Sequence, residues 1–198
     1  MNALPAPPGP AHPAPHLPLT VTNIVASVTV AGVLDLDDLA RVIPGADYNK
    51  QRFSGLVYRS SSPKFAALVF TSGKVNLVGV QHPDAVAPAL ASLLAVLRTA
   101  GVDLVPDPQP RVVNLVAAGN LGTGVSLLKL AFALDLENIE YEPEVFPGLV
   151  YRSRAGGVAL IFTSGAMIVA GALSIDRARL VSAEVWHLVE RAGAWMRT

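Results

Sequence analysis

Arg52-Phe53-Ser54-Gly55-Leu56-Val57-Tyr58-Arg59, followed by Leu68-Val69-Phe70-Thr71-Ser72-Gly73-Lys74, returns as Val145-Phe146-Pro147-Gly148-Leu149-Val150-Tyr151-Arg152, followed by Leu160-Ile161-Phe162-Thr163-Ser164-Gly165-Ala166. The offset is 93 between Phe53 and Phe146 (146 − 53) and 92 between Phe70 and Phe162 (162 − 70). The chain is a duplication. A solenoid unit repeats every ~20–50 residues, so a unit this long is half a domain. Each copy carries two phenylalanines, together four of the six in the chain, beside basic residues.

A length of 198 residues suits one medium domain or two small ones with a proper core. Hydrophobic residues make up 52% and charged residues only 15%, against about 25% charged in an ordinary domain. The formal net charge is zero, so affinity for nucleic acid depends on where the charges sit. The absence of cysteine excludes disulfides, thiol catalysis and thiolate metal sites. His12, His16, His82 and His187 lack further ligands at metal-site spacing, so neither a metal nor a cofactor is expected. Clustered carboxylates, a nucleophile–base pair and a phosphate-cradling glycine loop are all missing, which argues against an enzyme. The apolar run Ala85–Leu97 is broken by Pro88 and Ser92 and falls short of the ~20 residues of a membrane span. No membrane partner is expected, and the proline-broken N-terminus does not read as a secretory signal. The expected location is the cytoplasm, with the nucleoid, in a prokaryote or the nucleus in a eukaryote.

Residues 1–19 hold seven prolines without periodicity and read as a disordered Pro/Ala-rich tail. A first repeat over 20–105, a stiff linker over 106–110 and a second repeat over 111–198 complete the expected layout. Each repeat reads as strand, short helix, several strands, long helix. From Asn23 to Val30, Asn23, Val25, Ser27 and Thr29 alternate with Ile24, Ala26, Val28 and Val30. Asp35 is placed to cap a short helix, and Pro83 to open a long one that ends at Gly101. Gly193 repeats Gly101 at the same offset of 92 (193 − 101). The expected class is α+β: a ten-stranded antiparallel sheet with pseudo-twofold symmetry and four helices on one face only.

A sheet face that merely met water would be polar. Alternation instead places Val25, Leu68, Phe70 and Val78 there in the first half, and Val116, Leu160, Phe162 and Ile168 in the second. Several apolar side chains on an uncovered face argue for a partner. Asn23 and Asn114 stand among them at equivalent positions, and Arg59, Arg152 and Lys74 belong to flanking strands. An apolar floor, paired amides and a basic edge describe a binder of the DNA minor groove. The amides meet base acceptors, the cations meet phosphates, and phenylalanines wedge between base steps and kink the duplex. One phenylalanine in a strand is ordinarily core, and one asparagine equally a strand-edge residue; repetition at paired positions is what favours the open face.

At these residues the chain resembles the TATA-box-binding proteins from about Val21 to Val189, most specifically in Phe146-Pro147-Gly148-Leu149-Val150-Tyr151-Arg152 and Phe162-Thr163-Ser164-Gly165. The resemblance implies a saddle-shaped fold with the helices on its convex face and the concave face on the minor groove of A·T-rich double-stranded DNA. It implies intercalating wedges at Phe53, Phe70, Phe146 and Phe162. Base contacts would come from Asn23, Asn114, Val25, Val116, Leu68, Leu160, Asn76, Val78, Ile168 and Ala170. Phosphate contacts would come from Arg52, Arg59, Ser72, Lys74, Arg152 and Ser164.

Departures from the family pattern sit in both halves. Val78 and Ala170 stand where floor threonines are usual, and Asn76 replaces a floor valine. Ala166, Gln81 and Leu173 stand where lysines are expected, which implies a weaker grip, strongest through the first repeat, and relaxed sequence choice. The loop Asn49-Lys50-Gln51-Arg52 is basic, whereas Glu140-Tyr141-Glu142-Pro143-Glu144 is acidic. By the resemblance, the second loop is where a transcription factor B-like protein docks, through Glu142, Glu144 and Val145; an exposed acidic loop with no partner has the same composition. The sparse charge also leaves a homodimer open. Two further functions fit the residues: an architectural DNA-bending protein of low specificity, and an interaction module that keeps the fold without binding DNA.

Overall fold

The computed structural model describes residues 17–134 and 137–196. Most of the proline-rich tail therefore lies outside the described residues. The strands form one antiparallel sheet in the order β2-β3-β4-β1-β5-β9-β8-β7-β6. The first half supplies β1 (Leu19–Thr29), α1 (Leu36–Val42), β2 (Leu56–Ser61), β3 (Lys64–Val69), β4 (Lys74–Val80) and α2 (Val86–Thr99). The second supplies β5 (Arg111–Asn120), α3 (Leu127–Ala133), β6 (Ile139–Glu140), β7 (Leu149–Arg152), β8 (Val158–Ile161), β9 (Ala166–Ala172) and α4 (Ile175–Arg191). The two first strands, β1 and β5, pair at the centre.

Nine strands are present among the described residues, where ten were expected. The counterpart of β6 is a lone bridge between Asp47 and Val57. It follows directly on Pro44-Gly45, where Gly45 takes a positive φ of 77°, so too little extended chain remains to form a ladder. The first strand also begins earlier than expected, with Leu19 opposite Gly119.

Local chemistry fixes the ends of the elements. The Asp35 carboxylate accepts from the Asp38 backbone N–H at 3.0 Å and opens α1; Ser174 does the same for Arg177 at 3.2 Å and opens α4. The tight turn before β4 needs glycine at Gly73, since a Cβ there would lie 2.0 Å from the carbonyl oxygen of Ala31. One row of each central strand, Ile24, Ala26 and Val28 with Leu115 and Ala117, is buried with Leu90, Leu93 and Leu97 of α2 and Val181, Val185 and Val189 of α4. The core thus fills one side of the sheet, and the opposite row is left uncovered.

Candidate nucleic-acid interface

The uncovered face is built from two transverse rows of register partners, one in each half. In the first, Val57, Leu68, Asn76, Ser27 and Arg111 stand opposite one another across β2, β3, β4, β1 and β5. In the second, Val150, Leu160, Ile168, Ala118 and Thr20 do so across β7, β8, β9, β5 and β1. A neighbouring row holds Arg59, Ala66 and Val78, repeated as Arg152, Val158 and Ala170. Apart from the arginines, Arg111 among them, these side chains are half-buried or, at Thr20, exposed. Apolar groups thus form a floor with no layer of the described residues above it.

Bulges position the two amides. Between Ile24 and Ala26 the register with β4 slips, and Gly79 there adopts φ 81°; the same slip between Leu115 and Ala117 in β5 brings Gly171 to φ 76°. Each freed glycine N–H is taken by an amide oxygen: Gly79 N–H donates to Asn23 Oδ1 at 2.8 Å and Gly171 N–H to Asn114 Oδ1 at 2.9 Å. With both oxygens engaged, the NH2 groups of Asn23 and Asn114, which hydrogen-bond to none of the described residues, are left as donors. The minor-groove edges of A·T pairs offer only acceptors, so these amides have the matching polarity.

The phenylalanines form two equivalent pairs. Phe53 and Phe70 meet edge-to-face at 5.8 Å and 68°, and Phe146 and Phe162 at 5.8 Å and 66°. A glycine underlies each pair: a Cβ at Gly55 would lie 2.8 Å from the Phe53 ring, and one at Gly148 would lie 2.7 Å from the Phe146 ring. Only glycine lets both rings rest on the backbone there. Phe53 is 39% exposed, while Phe70, Phe146 and Phe162 are half-buried, so the rings stand at the surface and outside the core.

The expected cations lie around this face with unequal freedom. Arg52, Arg59, Lys74 and Arg111 are exposed and form no ion pair with the described residues. By the repeat offsets their counterparts are Val145, Arg152, Ala166 and Thr20. The one counterpart that keeps its charge, Arg152, pairs with Glu140 at 3.3 Å. Ser72 and Ser164 occupy the exposed turns beside Phe70 and Phe162. An open hollow of about 420 Å³ lined by Arg52, Phe53, Arg59 and Leu68, among others, marks the first-half end of the face.

The loops that carry Phe53 and Phe146 share one backbone design. Arg52 and Phe53 N–H donate to the carbonyl of Asn49, and Val145 and Phe146 N–H to that of Glu142, all at 2.9 Å. On the second loop, Glu142 and Glu144 are exposed and Val145 is 81% exposed.

Arg111, Val57, Val150, Ala66 and Val158 were not anticipated from sequence, and Ser27 was placed on this face without a role. Plain alternation from Asn114 directs Arg111 to the opposite side. The slip that sets Val25 against Asn114 and Ala26 against Val112 returns it to the open face.

The family model for transcription factor TFIID, or TATA-binding protein, matches residues 18–100 and 109–192. A TATA-box-binding protein of Haloarcula marismortui is 43% identical over 158 residues, covering 79% of this chain and 85% of its own. That of Archaeoglobus fulgidus is 40% identical over 181 residues, covering 91% and 95%. The solved structure of the Methanococcus jannaschii TBP superposes with a TM-score of 0.77 at 35% identity, over 87% of this chain and 98% of that one. With the family model spanning both repeats and the fold shared with that structure, the chain belongs to the TATA-box-binding protein family.

Proposed function

We propose that the chain is a transcription initiation factor that binds and bends A·T-rich duplex DNA through the open face of its sheet, on the minor-groove side. The single observation that carries this reading is the pair of pinned amides, which present donors from an apolar floor at two symmetry-related points. Val25, Val116, Leu68, Leu160, Val78, Ile168 and Ala170 form the floor against sugars and base edges. Phe53 with Phe70, and Phe146 with Phe162, enter base steps at either end and unstack them. Arg52, Arg59, Ser72, Lys74, Arg152 and Ser164 meet phosphates. A face of this kind works through shape and burial: it widens the groove and replaces groove water by apolar contact, so deformable A·T-rich steps are favoured.

The acidic loop gives the protein a second contact. Carboxylates repel phosphates, so Glu142 and Glu144 with the bare Val145 suit a basic protein of the transcription factor B type, docked beside the bend. Dimethyl sulfate distinguishes the grooves, since it methylates adenine N3 in the minor groove and guanine N7 in the major one. Protection of adenine N3 with guanine N7 left reactive is expected; protection of guanine N7 alone contradicts the reading.

A further inference from the structure

The two transverse rows differ where they cross the middle of each half. Asn76 and Ser27 are cross-strand partners in the first, and Ile168 and Ala118 fill the same places in the second. Neither Asn76 nor Ser27 hydrogen-bonds to the described residues through its side chain, although Asn23 and Asn114 beside them are both fixed. A half-buried amide and hydroxyl side by side, with no partner among the described residues, are left free to pair with whatever lies on the open face, water or a ligand.

A fixed amide whose oxygen accepts from a glycine N–H presents its NH2 in a set orientation. The Asn76 amide can turn, and it offers either its NH2 or its oxygen; the Ser27 hydroxyl likewise donates or accepts. In the minor groove, A·T and T·A pairs present acceptors alone, and a G·C pair adds one donor, the guanine N2 amino group. Over Ile168 and Ala118 that amino group is stripped of water and left without an acceptor. Over Asn76 and Ser27 it finds two.

We propose that the first repeat accepts a guanine N2 amino group at the base step over Asn76 and Ser27, while the second repeat excludes it. The preferred site is then directional, A·T-only at one end and G·C-tolerant at the other. This inference rests on the minor-groove reading above and gives that face a chemical polarity in addition to its uneven charge.

Inosine tests it cleanly, because an I·C pair differs from G·C only by the N2 amino group. The full chain is titrated against an A·T-rich duplex in which each pair in turn is replaced by I·C and then by G·C. In the second half of the site, guanine should bind about tenfold more weakly than inosine, the cost of one buried unpaired donor. One or two positions in the first half should show about twofold or less. Replacing Asn76→Val with Ser27→Ala should restore the tenfold penalty there, and Ile168→Asn with Ala118→Ser should relieve it at the opposite end. Either exchange, read as the ratio of guanine to inosine affinity within the same variant, supports the proposal. Equal guanine penalties at both ends of the wild-type site, or penalties unmoved by both exchanges, overturn the proposal and leave minor-groove binding intact. Failure of the wild type to bind the all-A·T duplex overturns both readings.

Discussion

The two halves of this protein share a backbone and have divided its chemistry. The first-repeat end of the open face carries Arg52, Arg59 and Lys74, with Arg111 reaching it from β5 of the second repeat, and has Asn76 and Ser27 in its floor. At the matching positions the other end has Val145, a glutamate-paired Arg152, Ala166, Ile168 and Ala118, with Thr20 reaching it from β1 of the first repeat. What both keep is the geometry that a duplex deformation needs: a fixed asparagine over a glycine bulge, and two phenylalanines on a glycine. Duplication supplied the symmetric parts, and divergence left one end of the face the more cationic and the other with more apolar groups and carboxylates.

The largest effects should come from what the halves share. Phe53→Ala with Phe70→Ala, or Phe146→Ala with Phe162→Ala, should each weaken duplex binding by about 100-fold, since a lost wedge of a few kcal/mol is no longer repaid by wrapped surface. Gel shift measures this, and similar losses at the two ends are expected. If one pair is dispensable, the symmetry is confined to the backbone.

A smaller effect separates the halves. Arg59→Ala should reduce the slope of log affinity against log salt by about one unit, the signature of one lost phosphate contact. Arg152→Ala should change it by less, because Glu140 already holds that guanidinium. Equal slope changes would mean that the Arg152–Glu140 pair opens on binding. On the opposite loop, Glu142→Lys with Glu144→Lys should weaken capture of a transcription factor B-type protein by about tenfold or more, while DNA affinity holds or rises. Loss of DNA affinity would place that loop against the phosphates.

The smallest effect concerns stability, and only the second half should show it. Tyr151 OH donates to Glu184 Oε1 at 2.6 Å, and Ser153 Oγ donates to the other oxygen, tying β7 to α4. In the first half, Ser92 stands at the position of Glu184, and Tyr58 packs on Phe65 at 6.3 Å without a hydrogen bond from its hydroxyl to the described residues. Tyr151→Phe should cost about 1 kcal/mol in urea unfolding, and Tyr58→Phe close to nothing. Burial, and then the bond to Glu184, raise the Tyr151 pKa from 10.0 to about 12. A raised phenol pKa favours the neutral form in the folded protein. Its contribution is therefore complete below pH 10 and is lost as pH rises through about 12, so wild type and Tyr151→Phe should converge in that window.

Much of this was legible in the residues because the duplication wrote the pattern twice. Asp35, Gly73, Gly101 and the alternation around Asn23 locate the elements by local chemistry, and the paired phenylalanines locate the face. Arg111 was hidden because a single extra residue in β5 reverses alternation, and neither repeat marks that slip in sequence. Ten strands were expected, but Pro44-Gly45 reduces the tenth to one bridge at Asp47. The Tyr151–Glu184 bond joins residues 33 positions apart, and nothing local to either announces it. Asn23 and Asn114 were visible as a pair; that their oxygens accept from the bulge glycines, leaving the NH2 groups as donors, needed those glycines in place.

The central claim is that the open face bends the duplex it binds. Dyes at the two ends of a short A·T-rich duplex report this by energy transfer as the full chain is added. The account predicts that the ends approach on binding and that the approach is lost when the phenylalanine pairs are replaced. A stable complex whose end-to-end distance stays that of the free duplex would contradict it.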